Sequence, residues 1–160
     1  MRRTQRKAGF TLLELLVVLT IIALASAGVV MSLRSGDDEL LEREAVRLAA
    51  LLEAGRAAAR STGVPVLWQP RPGGFELLGA LPGADAGAPL AGTHRWLSPD
   101  LRAQIVSPAD GAAVVLGPEP VLPAQAIRLD LNARQLWVGS DGFQPFAVQA
   151  SPPARTGAGP

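Results

Sequence analysis

Residues Lys7 to Leu33 read KAGFTLLELLVVLTIIALASAGVVMSL, an apolar run broken near its start by a single carboxylate, Glu14. From Phe10 to Leu33 there are 24 residues. As a helix rising about 1.5 Å per residue the run reaches about 36 Å, enough to cross a hydrocarbon core of about 30 Å. Arg2, Arg3, Arg6 and Lys7 precede it, with no acidic residue among them. A cleaved secretory signal has an apolar core of about 7 to 15 residues followed by a small-residue cut site. Here Ala25, Ser26, Ala27 and Gly28 lie inside an apolar run that continues through Val29, Val30 and Met31. The pattern therefore predicts a retained transmembrane helix over 10–33. The basic flank places the N-terminus in the cytoplasm, and everything after about Leu33 outside the inner membrane.

Glu14 demands a reason, because an ionisable side chain deep in a membrane helix costs about 2.5 to 3.5 kcal/mol on insertion scales and usually marks a functional contact. The plain alternative is a shallow carboxylate that snorkels into the headgroups. The residues around it favour function. Lys7-Ala8-Gly9-Phe10-Thr11-Leu12-Leu13-Glu14 resembles the processing site of type IV pilins and type II secretion pseudopilins. In that family a dedicated peptidase cuts after the glycine and methylates the new N-terminal phenylalanine, and the fifth mature residue is glutamate. The resemblance implies a leader over 1–9, cleavage between Gly9 and Phe10, N-methylation of Phe10 and an assembly role for Glu14.

Cleavage would place an amine on Phe10 four residues before Glu14, and positions i and i+4 share a helix face. A carboxylate in a first turn also interacts favourably with the helix dipole. The family further implies that Glu14 of an incoming subunit pairs with the Phe10 amine of its neighbour. That contact would neutralise both charges in lipid and set the stagger of a filament.

Hydrophobic residues make up 48% of the chain and cysteine is absent. Without Cys there is no disulfide, thiolate nucleophile or Cys-ligated metal. Of 15 basic residues four lie in the first nine, so a processed product would carry 11 against 14 acidic side chains, or −3. The basic character of the whole chain belongs to the leader and signals no affinity for polyanions.

A second helical pattern runs over 37–60, within the stretch 34–63, with Leu41, Ala45, Leu48, Leu52 and Ala59 on one apolar stripe. Glu39, Glu42, Arg43, Arg47, Glu53 and Arg56 fall on the other faces, which read as solvated, with Glu39 and Arg43 a favourable i, i+4 pair. Asp37 or Asp38 fits an N-cap, unless the helix continues through Ser35-Gly36; Gly63 and Pro65 supply the stop.

Over 64–150 the pattern changes to short strand-like runs at 64–69, 75–78, 113–116, 127–131, 136–138 and 146–148, which predict an antiparallel sheet. Asn132-Ala133 and Ser140-Asp141-Gly142 read as turns, residues 81–92 as a long loop and 151–160 as a disordered tail. Trp68, Trp96 and Trp137 read as core or sheet-face residues. The expected fold class is α+β and pilin-like: a long N-terminal helix, its first part transmembrane and its second amphipathic, packed on a small antiparallel β domain.

Leu116-Gly117-Pro118-Glu119-Pro120-Val121-Leu122-Pro123 leading into Ala126-Ile127-Arg128-Leu129 is similar to the minor pseudopilins of type II secretion of the protein H group, as are Gly63-Val64-Pro65-Val66 and Asp141-Gly142-Phe143 with Phe146. The resemblance implies a structural subunit at or near the tip of a periplasmic pseudopilus that helps export folded proteins across the outer membrane. It implies as partners other minor pseudopilins, the major pseudopilin, the inner-membrane assembly platform and the prepilin peptidase, with no cofactor and no small-molecule substrate.

An enzyme reading finds no G-x-S-x-G, H-E-x-x-H or G-x-x-x-x-G-K motif. His94, the only histidine, reads as an exposed or loop-edge residue, and Asp130 and Asp141 as solvated carboxylates rather than a calcium site. The rival reading is a minor pilin of a type IV pilus with a DNA-binding or pilus-assembly role, of which DNA binding requires a basic surface. From Val64 to Ala150, Arg71, Arg95, Arg102, Arg128 and Arg134 face seven acids, a net −2 that disfavours nucleic acid unless the fold gathers those arginines on one face.

Overall fold

The computed structural model describes residues 12–79, 90, 92–109 and 111–151, with the helical backbone alone over 26–35. The chain divides into two units, residues 1–36 and 37–160. One helix, α1, runs from Leu12 to Thr62. Gly36 therefore does not end it, and the expected N-cap at Asp37 or Asp38 is corrected: both sit inside the helix.

In the first unit α1 exposes a run of large apolar side chains, among them Leu12, Leu16, Ile21 and Leu24. The Thr20 hydroxyl in this run donates to the carbonyl of Leu16 at 2.8 Å and needs no outside acceptor. Among the described residues no helix is long and apolar enough to cross a membrane. The span expected over 10–33 extends beyond them, since residues 10 and 11 and the side chains from 26 onward lie outside.

In the second unit the stripe closes as its spacing dictates, with Leu41, Ala45, Leu48, Leu52 and Ala59 all buried. The helix stops where Gly63 adopts φ 70 and donates its amide to the Ala59 carbonyl, a conformation that glycine reaches at no steric cost. Eight strands follow: β1 Val66–Arg71, β2 Gly74–Leu78, β3 Gly92–Arg95, β4 Arg102–Ser107, β5 Val114–Leu116, β6 Gln125–Leu131, β7 Arg134–Ser140 and β8 Ala147–Gln149. They form two antiparallel four-stranded sheets, ordered β3-β2-β1-β5 and β4-β6-β7-β8, where a single sheet was expected. β3 and β4 were not anticipated; both are edge strands whose residues are at most half-buried, so they lack the apolar alternation that marks a strand.

Two tight hairpins fix the registers. Arg71 pairs with Gly74 across Pro72-Gly73, and Leu131 with Arg134 across Asn132-Ala133. Gly73 at φ 71 and Asn132 at φ 52 supply the left-handed geometry that such turns need. The helix stripe and the inner faces of both sheets meet in one core around Trp68, Phe75, Ile127, Leu129 and Val138. Within it Phe75 lies 5.9 Å from Trp68 and 4.7 Å from Trp96 between ring centroids. Trp68 and Trp96 are thus core residues, whereas Trp137 is half-buried on β7.

The expected loop over 81–92 falls mostly outside the described residues, and Gly92 already belongs to β3. Of the tail, 152–160 also lies outside them.

Candidate functional site

Gly9 and Phe10, the expected cleavage and methylation positions, lie outside the described residues. Glu14 is described: it occupies the first turn of α1 and is exposed.

Within the second unit, α1 is tied to the β domain by polar contacts as well as by its leucines. Asp38 takes both donors of the Arg134 fork, from Nε and Nη2, and Asp37 accepts from Asn132 Nδ2 at 2.8 Å. The Asp38 carboxyl is held below the usual carboxylate range by the Arg134 hydrogen bond and charge, and the Arg134 guanidinium is raised in return. Residues expected as helix caps therefore anchor the β6–β7 turn instead.

Nearly two helix turns further, Glu44 is fully buried. Its Oε1 accepts from Arg47 Nη1 at 2.8 Å and from the Leu97 amide at 3.3 Å. Arg47 in turn donates to the Arg95 carbonyl from both terminal nitrogens, at 3.2 and 3.1 Å, with its guanidinium 5.9 Å from the Phe75 ring centre. His94 stacks on the same ring at 4.9 Å and 13°. The reading of His94 as a loop-edge residue is thus corrected: it sits on β3, half-buried as an aromatic neighbour.

The most elaborate arrangement surrounds Arg56, which was expected on a solvated face but is only 5% exposed. Its Nη2 donates to the carbonyls of Pro120 at 3.3 Å and Gly142 at 3.0 Å. One buried cation thereby joins two loops far apart in sequence, the Gly-Pro block over 117–123 and the turn over 140–144. The Leu122 amide also donates to the Gly142 carbonyl, at 3.5 Å. Gly142 has φ 96, and a Cβ there would lie 1.8 Å from the Leu122 carbonyl oxygen. Only glycine fits.

The turn is locked from within as well. Asp141 Oδ1 accepts from the amides of Phe143 at 2.9 Å and Gln144 at 2.7 Å, and these bonds, the Gln144 one foremost, hold its carboxyl below the usual range. The Ser140 hydroxyl donates to the Gln144 carbonyl at 2.6 Å and accepts from the Gly142 amide at 3.0 Å. Glu53, also expected in solvent, accepts from the Phe146 amide at 2.9 Å. On this frame Phe143 stands 73% exposed and Val121 52% exposed. The sequence signals for this site were the glycines and prolines. Nothing marked Arg56 or Glu44 as buried, since Glu and Arg mostly occupy surfaces.

The expected Glu39–Arg43 ion pair is replaced by a bond from Arg43 Nε to the Glu39 carbonyl at 3.2 Å. Three of the five arginines of the β domain are paired with carboxylates, Arg71 with Glu76 at 2.8 Å, Arg128 with Asp130 at 3.0 Å, and Arg134 with Asp38, while Arg95 and Arg102 are exposed. Asp130 and Asp141 stand toward opposite ends of the β6–β7 hairpin, where Asp130 pairs with Gln135 and Ser140 with Gln125. Among the described residues no group of three or more His, Asp and Glu side chains is placed to hold a metal ion.

Residues 4–30 match the family model of the prokaryotic N-terminal methylation motif. No curated protein sequence matches the chain. Among solved structures, the chain is similar to the type IV minor pilin FimU of Pseudomonas aeruginosa strain PAO1, at 17% identity and a TM-score of 0.51, covering 72% of this chain and 91% of that one. At this identity the likeness speaks for the fold. The chain thus joins a prokaryotic N-terminal methylation motif to the fold of a type IV minor pilin.

Proposed function

We propose that the chain is a minor pseudopilin of the type II secretion system, a structural subunit at or near the tip of a periplasmic filament and not an enzyme. The observation that carries this reading is the union, in one chain, of the methylation motif over 4–30 with a minor-pilin fold. On this reading prepilin peptidase cuts between Gly9 and Phe10 and methylates Phe10. Residues 10–33 hold the subunit in the inner membrane, N-terminus in the cytoplasm and β domain in the periplasm, until Glu14 joins it to its neighbours: other minor pseudopilins, the major pseudopilin and the assembly platform.

A role in a true type IV pilus is the second reading, favoured by the minor-pilin likeness itself. Secretion is preferred over DNA binding for two reasons. The Leu116–Pro123 block resembles the secretion group, and three of the five β-domain arginines, Arg71, Arg128 and Arg134, each pair with a carboxylate, which reduces the unpaired cationic surface that phosphate binding uses.

Mass analysis of the membrane-extracted protein tests the common core. The expected N-terminus is methylated Phe10; Met1 retained in cells with active prepilin peptidase, or a cut after any residue from Ala25 to Gly28, refutes it. Deletion of the gene then separates the two filaments: accumulation of exported enzymes in the periplasm supports secretion, whereas loss of DNA uptake with secretion intact supports the pilus.

A further inference from the structure

The structure assigns Phe143 and Val121 to a docking knob for a second protein subunit, one that offers an apolar pocket rimmed by Lys or Arg. This deepens the reading of the chain as a filament subunit and rests on it.

The knob is built rather than incidental. Phe143 is 73% exposed and Val121 52% exposed, on two loops joined by the Leu122–Gly142 hydrogen bond and by the shared Arg56 guanidinium. Burying an arginine is costly unless its donors are met, yet Arg56 is spent on two loop carbonyls and leaves Nε without a partner among the described residues. Asp141 and Ser140 hold the same turn through four further hydrogen bonds. An exposed aromatic side chain fixed before binding is what an interface anchor requires, because little conformational freedom is then lost on association.

The charge on the two loops defines the partner. Residues 117–123 and 140–146 carry Glu119 and Asp141, both exposed, and no Lys or Arg. An apolar knob bordered by carboxylates fits a pocket with a basic rim. It is repelled by the anionic headgroups of a bilayer.

The test places a photoreactive benzoyl-phenylalanine at position 143 or 121 of the full chain, in cells assembling the filament, with position 97 as control, since Leu97 is 60% exposed after β3. The expected result is one shared product from 143 and 121, joined to a different subunit that bears the methylation motif, at apolar residues flanked by Lys or Arg. Phe143→Ala in the chain labelled at 121 should cut its yield about tenfold or more, the size expected for loss of an anchor. No product, a lipid adduct, a product with a second copy of this chain, or equal yield from 97 overturns the inference. Phe10 processing and recovery in the filament fraction are read from the same cells. If both are normal and the product is absent, the knob fails while the filament reading stands; if processing fails, the filament reading fails.

Discussion

Gly142 and Asp38 show how single residues tie distant parts of this chain together. At Gly142, φ 96 and the nearness of the Leu122 carbonyl oxygen both exclude a side chain. Gly142→Ala should therefore cost about 1–3 kcal/mol for backbone strain alone, with the clash added, and lower the thermal unfolding midpoint followed by circular dichroism. An unchanged midpoint would mean that the loop relaxes freely, contrary to the Arg56 clamp. Asp38 makes a pH prediction. Its carboxyl is depressed in the folded state by Arg134, so the contact stabilises above the ordinary carboxylate value and is lost as pH falls through the lowered one. In an NMR titration Asp38 should protonate below pH 3.8, the ordinary value, and Arg134→Gln should bring its midpoint back up. Because the pair is exposed, the effect on overall stability is small.

At the scale of elements, the helix was legible because its signal is local and repeated. Leu41, Ala45, Leu48, Leu52 and Ala59 recur at helical spacing, and burial follows that spacing. Leu52→Ala, at a fully buried position, should cost about 2–5 kcal/mol in urea unfolding, whereas exposed Ala57→Ser should change little. The central strands and the Asn132 turn were equally readable, since alternation and a left-handed turn residue are written in adjacent positions. The division into two sheets was not. It depends on β5 pairing with β1 and β4 with β6, partners chosen across intervening strands by packing rather than by any turn signal. The candidate site divides in the same way. Its glycines and prolines were visible, while Arg56, Glu53 and Glu44 have the composition of a wet helix face and are distinguished only by what the two loops and β3 bring against them.

At the scale of the whole molecule, the proposed function requires a subunit with an acidic residue in an apolar helix to pass from a bilayer into a filament. The N-terminal methylation motif over 4–30 includes Glu14, and the proposed cut after Gly9 gives that carboxylate a cationic counterpart in the Phe10 amine. On the proposed function the carboxylate would raise the cost of the membrane state before assembly, and a neighbour's amine would offset it afterwards. Glu14→Leu removes the first effect and the second together. The variant should therefore insert at least as well as the native chain, because a charge has been removed, and be cut at Gly9, because Glu14 lies outside the proposed scissile bond between Gly9 and Phe10. It should fail at incorporation, and crosslinking to neighbouring subunits in the filament fraction should fall about tenfold or more, as for other charge pairs that lose one partner in a low-dielectric setting. Glu14→Asp should recover part of that loss, since the charge remains and only its reach is shortened. Unimpaired incorporation of Glu14→Leu would mean that the stagger is set by apolar packing of the helices, and that the carboxylate serves some step before assembly.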